Sequence, residues 1–269
     1  MSLEVTHLVV NGCSLTYCQG IDKPFENGWP ALLGKKLGLP VVNLAVQGSG
    51  NDSIHRRTYE YFYKCKKLQG KPFYITAFSH ATRREEFFKS YKGKEIEDYH
   101  GLDLQASSVD LTATLGLKAL PEHFEVAHIM NLSYEACERK KYVLWNSLIN
   151  LFKATNTPYI VADYMPTFVD EVVEYMIQNY PEIYYNAIND TNNIGEIPKH
   201  TKHFKKLSCG HEPQEAMELI CNLFYNKITK IYGEIIPVIN QEKTYYTLKE
   251  YYPPKTQRLL HYNEWITNS

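Results

Sequence analysis

Residues 9–20 read VVNGCSLTYCQG. An apolar run that starts at Thr6 (THLVV, 6–10) closes on Asn11-Gly12, and a small polar segment, Cys13-Ser14-Leu15-Thr16, follows at once. A short β-rich run ending at a glycine predicts a buried strand that turns sharply. A polar side chain just past such a turn is held at the edge of a sheet, with backbone N–H groups around it.

The same pattern recurs along the chain. VVNLAV (41–46), FYITAF (73–78) and PYIVADY (158–164) are further buried-strand candidates, and EIIPVI (234–239) is a last strand or an edge. Helix-like segments alternate with them. WPALLGKKLG (29–38) sets Leu32, Leu33 and Leu37 on one face, and Gly38 suits a left-handed C-terminal position. NDSIHRRTYEYFYKCKK (51–67) has Asn51 or Asp52 as N-cap. Residues 132–155 carry Leu144, Leu148 and Leu151 at helical spacing, and EPQEAMELICNLFYNKITKIY (212–232) is amphipathic through Met217, Ile220, Leu223 and Phe224. Short apolar strands alternating with helices imply parallel βαβ units with helices on both faces of one sheet. Chemistry in such sheets gathers at the carboxyl ends of the strands. Three segments fall there: Gly12-Cys13-Ser14, Gln47-Gly48-Ser49-Gly50-Asn51, and Ser79-His80 with Arg83-Arg84-Glu85.

The 269 residues, 44% of them hydrophobic, suffice for one large core or two modest ones. The expected division is one α/β domain over 1–239, with insertions near 89–130 and 181–210, and an unplaced C-terminal extension over 240–269. A formal net charge of −1 gives no footprint for nucleic acid. The short basic clusters KCKK (64–67) and ERKK (138–141) read as solvated faces. No apolar run reaches about 18 residues, so no membrane span is expected. The first ten residues, MSLEVTHLVV, lack a basic segment and a small-residue cleavage site, so a cytoplasmic location is expected. The six cysteines are scattered, and Cys209 and His211 have no second pair to complete a zinc site. Neither metal nor organic cofactor is implied, and nothing fixes an oligomeric state.

Ser14 has two readings: a nucleophile at a sheet edge, or the cap of the next helix. As a nucleophile it needs a base, since a hydroxyl is weak until its proton is removed. His211, in SCGHEPQEAMELI directly before the last helix, is the candidate by position. His55, His123 and His128 have ordinary surface or core neighbours, and His200 and His203 lie in the basic loop PKHTKHFKK.

Taken together, these blocks resemble the SGNH, or GDSL-like, esterase/lipase hydrolases. VVNGCSLTYCQGID resembles the family's first block, a strand followed by G-x-S-x-T. GWPALLGKKLGLPVVNLAVQGSG resembles the second, and CGHEPQEAMELI the last. The resemblance implies a flavodoxin-like α/β/α sandwich with a mostly parallel, five-stranded sheet. It implies Ser14 as nucleophile, His211 as base and Gly48 as oxyanion glycine. The substrate it implies is a small-molecule, carbohydrate or lipid ester, acyl or acetyl. Two positions depart from the family. Its third block places an asparagine where this chain has His80, so His80 or Asn51 takes the role of oxyanion donor, while Arg83 and Glu85 form either part of the site or a structural ion pair. Its aspartate two or three residues before the histidine is replaced by Cys209 and Ser208, which leaves a backbone carbonyl, distant Asp163, or a Ser–His dyad. Two rivals remain. One is a catalytically silent module of the same fold that binds a glycan or a protein partner. The other takes GSGND (48–52) as a phosphate-cradling turn, though no third glycine or ribose-binding acid completes that motif.

Overall fold

A computed structural model of the chain describes residues 2–64, 70–81, 83–91, 94–105, 134–163, 175–176, 178–185, 205, 207–208, 211–238 and 245–247, with 83–105 described by backbone alone. The strands are β1 (Ser2–Val5), β2 (His7–Asn11), β3 (Val41–Asn43), β4 (Pro72–Phe78), β5 (Arg83–Tyr91), β6 (Lys94–Gln105), β7 (Tyr159–Asp163), β8 (Ile183–Tyr185), β9 (Glu234–Pro237) and β10 (Tyr245–Thr247). The helices are α1 (Ser14–Tyr17), α2 (Pro24–Asn27), α3 (Trp29–Leu37), α4 (Asn51–Lys64), α5 (Tyr134–Ala154) and α6 (Gln214–Tyr232).

The main sheet runs β10-β3-β2-β4-β7-β8, and every pairing in it is parallel. Counted by chain order, the five strands beside β10 stand 2-1-3-4-5, the flavodoxin-like order. Helices cover both faces, so β2, β4 and β7 read as continuous apolar runs instead of alternating ones. On one face Leu8, Val10, Phe73, Ile75, Ile160 and Ala162 pack against α3 and α6. On the other, Val9, Val42, Tyr74, Phe78, Tyr159 and Val161 pack against α4 and α5. The expected three-layer sandwich is present.

Local sequence explains the helix ends. Trp29-Pro30 opens α3, where a proline lacks an N–H that would have no helical acceptor anyway. Gly38 closes it at φ +68, its N–H reaching the carbonyls of Gly34 and Lys35. On the first face Trp29 stacks on Phe224 of α6, ring centres 4.6 Å apart. Its indole N–H donates to the Leu15 carbonyl at 3.2 Å. That one side chain fastens α6 to the turn that carries Ser14.

Three short strands went unread or were read differently in the sequence. The fifth strand in this order is the edge strand β8, which pairs with β7, inside a stretch expected to be an insertion. Residues 234–237 pair with β1 in a separate two-stranded sheet, an edge outside the main sheet. Tyr245–Thr247, from the unplaced extension, pairs with β3. The first insertion begins as an antiparallel hairpin, β5 with β6. Residues 106–130, 186–204 and 248–269 lie outside the described residues, as do His123, His128, His200, His203 and Cys209.

Candidate active site at the carboxyl edge

Helices run antiparallel to the strands they follow, so strand ends and helix starts meet at one edge. Ser14 lies beyond the end of β2 and His80 beyond β4, the neighbouring strands between which chain order reverses. Ligands of such sheets bind at that reversal.

Asn11 builds the first turn. Its amide donates to the Ile54 carbonyl (2.7 Å) and the Thr58 hydroxyl (2.9 Å) of α4, and its Oδ1 accepts from Gly12 N–H at 2.8 Å. Gly12 must be glycine for lack of space: a Cβ there would stand 2.2 Å from Thr16 Oγ1 and 3.0 Å from the Ala77 carbonyl. The chain therefore folds tightly into α1, a single turn whose first residue is Ser14. Ser14 is largely buried, and neither its N–H nor its hydroxyl has a partner among the described residues. The flanking thiols are no rivals. Cys13 is closed to solvent, and burial pushes the Cys18 thiol up to about 12.

The exit of β3 runs alongside the exit of β2. Leu44 N–H donates to the Val10 carbonyl at 2.8 Å, and Val46 N–H to the Gly12 carbonyl at 3.3 Å. Gly48 and Ser14 each follow two residues beyond this pairing. Gly48 holds φ +75, a left-handed backbone, and a Cβ on it would meet nothing within 4 Å. Its N–H, like that of Ser14, has no acceptor among the described residues. Buried Arg57 of α4 braces this loop, one guanidinium nitrogen donating to Ser49 Oγ at 2.5 Å and the other to Ser53 Oγ. Ser49 Oγ in turn donates to the Val46 carbonyl at 2.8 Å.

Asn51, weighed in the sequence as an oxyanion donor, is engaged by the backbone. Its Oδ1 accepts from Ser79 N–H at 2.8 Å, and its amide donates to the carbonyls of Ser79 (3.3 Å) and His80 (3.1 Å). It is a brace for the exit of β4. His80 sits half-buried on that exit. The side chains of Arg83 and Glu85, read as a possible ion pair, lie outside the described residues.

His211 precedes α6, the helix that packs on the face where Leu15 lies. Its carbonyl accepts from Leu207 N–H at 2.9 Å, closing the 207–211 loop, and its Nδ1 is shut off from solvent. Gln214, three residues on, donates to the Asn27 carbonyl at 3.1 Å. Asp163 belongs to the opposite face. By strand alternation its side chain follows Tyr159 and Val161 toward α5, where it lies 2.7 Å from Lys141 Nζ. Glu138 lies 2.8 Å from the same ammonium, and all three side chains are closed to solvent. Burial raises the Glu138 carboxyl above its ordinary range. Burial alone would lower the Lys141 ammonium, but the two carboxylates more than offset it and hold it high. The placement of Asp163 removes it as the acid for His211.

Solved structures similar to this chain are esterases and lipolytic proteins. One is a protein assigned to the G-D-S-L lipolytic family from Desulfitobacterium hafniense DCB-2, at 15% identity and TM-score 0.39, over 82% of this chain and 99% of that one. Another is the psychrotrophic esterase EstA from Pseudoalteromonas sp., at 13% identity and TM-score 0.43, over 84% and 98%. A third is the acetyl xylan esterase Est2A from Butyrivibrio proteoclasticus, at 12% identity and TM-score 0.42, where the similarity spans 86% of this chain and 65% of that one. No protein-family model and no curated protein matches the chain. At these identities the similarity assigns no residue role here.

Among the described residues, no helix is long and apolar enough to cross a membrane, and no three His, Cys, Asp or Glu side chains cluster as metal ligands. Sequence reading missed the residues that shape the edge from behind: Asn11, Asn43, Arg57 and Lys141. One signal was there, since VVN occurs at both 9–11 and 41–43. An asparagine closing two apolar strands, each followed by a loop, marks buried amides that hold those loops.

Proposed function

We propose that the chain hydrolyses carboxylic esters of small molecules or carbohydrates through Ser14 and His211, by way of an acyl-enzyme. His211 takes the Ser14 proton, and Ser14 Oγ attacks the ester carbonyl. The N–H groups of Ser14 and Gly48, with the His80 ring as side-chain donor, receive the oxyanion of the tetrahedral intermediate. The alcohol leaves with the proton from His211. Water, deprotonated by His211, then releases the acid. What supports this reading is the Val46–Gly12 hydrogen bond, which runs the exit of β3 that leads to Gly48 alongside the turn that leads to Ser14.

The positions two and three before His211 hold no carboxylate, and Asp163 faces the other side of the sheet. We read the centre as a dyad in which a main-chain carbonyl sets the imidazole tautomer. A triad acid changed to an amide costs about ten-thousand-fold in the serine-protease template, chiefly through the wrong tautomer. A carbonyl at Nδ1 keeps the tautomer right, so turnover is slow but measurable.

A serine-directed fluorophosphonate tests the reading. It should label Ser14, not Ser49 or Ser79, and the label should vanish in Ser14→Ala together with turnover of p-nitrophenyl acetate. Labelling and turnover that survive Ser14→Ala would name the wrong nucleophile. No labelling of the native chain would leave a silent binding module.

A further inference from the structure

We propose that the C-terminal strand β10 is a working part of this edge: Tyr245, acting through Asn43, sets the two turns that carry Ser14 and Gly48 against each other. The inference rests on the preceding reading of Ser14 and Gly48, and it concerns a segment to which that reading gives no part.

Asn43 closes β3 and is 4% exposed. Its carboxamide meets three partners. The amide nitrogen donates to Tyr245 Oη at 2.8 Å and to the Thr16 carbonyl at 3.3 Å, and Oδ1 accepts from Ala45 N–H at 2.9 Å. Thr16 is two residues past Ser14 in α1, and Ala45 opens the loop that leads to Gly48. Both amide hydrogens and the carbonyl oxygen are thus engaged, one toward each turn and one toward the tail. A carboxamide can be reversed by rotating it, so something must choose its orientation. The Thr16 carbonyl, which only accepts, and the Ala45 N–H, which only donates, do so, and the Tyr245 oxygen then takes the remaining amide hydrogen. Tyr245 is itself held twice, by the pairing of β10 with β3 at Val41 and by its ring against Phe25, centres 5.4 Å apart.

Removing the hydroxyl leaves a buried amide hydrogen of Asn43 without its acceptor. The carboxamide then settles elsewhere, and α1 and the 44–50 loop lose their common tie. The Tyr245 hydroxyl bonds Asn43 and acts through it, so Tyr245 is a positioning residue. Tyr246, its neighbour, packs on the opposite face with the α4 and α5 core and serves as control.

The test compares the full native chain with Tyr245→Phe, Tyr246→Phe and Ser14→Ala. Amide hydrogen exchange is read over 12–18 and 44–50, and kcat and KM on p-nitrophenyl acetate alongside. In Tyr245→Phe, exchange should quicken in both turns and kcat should fall about tenfold with KM within twofold, the mark of misplaced reacting groups. Tyr246→Phe should do neither. Unchanged exchange in both turns overturns the inference whatever the kinetics. Quickened exchange with native kcat, while Ser14→Ala is inert, overturns its catalytic half and leaves the hydrolase reading standing. Full activity in Ser14→Ala sinks the hydrolase reading, while the exchange result still decides the tie. Should Tyr245→Phe not fold, Asn43→Ser, which cannot span three partners, carries the same exchange comparison.

Discussion

The Lys141 ammonium lies 2.7 Å from the Asp163 carboxylate at the end of the fourth central strand, and both side chains are closed to solvent. Glu138 adds a second carboxylate to one cation. Lys141→Met strands two acids in the interior and should cost about 3–5 kcal/mol in urea unfolding. Glu138→Gln goes the other way. A carboxyl raised in the folded state binds its proton there when the unfolded chain has released it, so stability falls as pH rises above the ordinary value of 4.5. Removing that carboxyl should flatten the fall and leave a balanced Lys141–Asp163 pair. A stability-against-pH curve unchanged in Glu138→Gln would count against the assignment.

His7 supplies the opposite slope. Its ring lies between the Thr6 hydroxyl (2.9 Å) and the Tyr61 hydroxyl (3.2 Å), and burial lowers the imidazolium to about 4 from 6.5. The unfolded chain takes up that proton first, so stability is lost as pH falls from about 6.5 to about 4. A drop of this size corresponds to about 3 kcal/mol. His7→Gln should remove most of it, read as urea midpoints at either end of the range.

Gly12 and Gly48 should answer differently to alanine. At Gly12 the added methyl meets Thr16 Oγ1 and a β4 carbonyl, so α1 must shift. Overpacking of this kind costs about 1–3 kcal/mol, and phosphonate labelling of Ser14 should slow. At Gly48 there is space, and the penalty is left-handed backbone alone, about 1–2 kcal/mol. Thermal midpoints compared with labelling rates separate the two causes. Thr16→Ala should relieve Gly12→Ala in part and leave Gly48→Ala unaffected.

Arg57→Lys keeps the charge and loses the fork. A lysine reaches Ser49 or Ser53, not both, and the brace under Gly48 loosens. Stability should fall by about 1.5–3 kcal/mol, the range for a hydrogen bond to a charged group. Turnover should fall further than Glu60→Gln lowers it, since Glu60 pairs with half-buried Arg56 of the same helix. Equal turnover in the two variants would remove Arg57 from the support of the loop.

Much of this fold is legible because its strands are buried on both faces. A doubly covered strand has no polar side, so β2, β4 and β7 stand out as unbroken apolar runs and the turns after them are conspicuous. The edge strands β8 and β10 are three residues each and carry no such run. The candidate site was legible where the chain bends. Gly12, Ser14 and Gly48 sit at punctuated turns, and His211 at a helix start. What lay hidden was long-range pairing. Asn43 meets Tyr245 across 202 positions, and no local spacing announces such a bond. Asp163 reads as available in the sequence because its partner, Lys141, lies in a helix whose charges look like a wet face; 1% exposure of that lysine reverses the reading.

The arrival of β10 at the far side of β3 also has a meaning in time. On a chain made from its N-terminus, β3 is complete long before Tyr245–Thr247 leaves the ribosome, and until then its outer N–H and C=O groups form a bare sheet edge. Closing that edge is among the longest-range steps in folding this chain, and such steps are slow. The nascent protein must pass through an interval in which a β-rich border stands open to pairing with another chain, and the segment that ends the interval is the one that also ties Asn43.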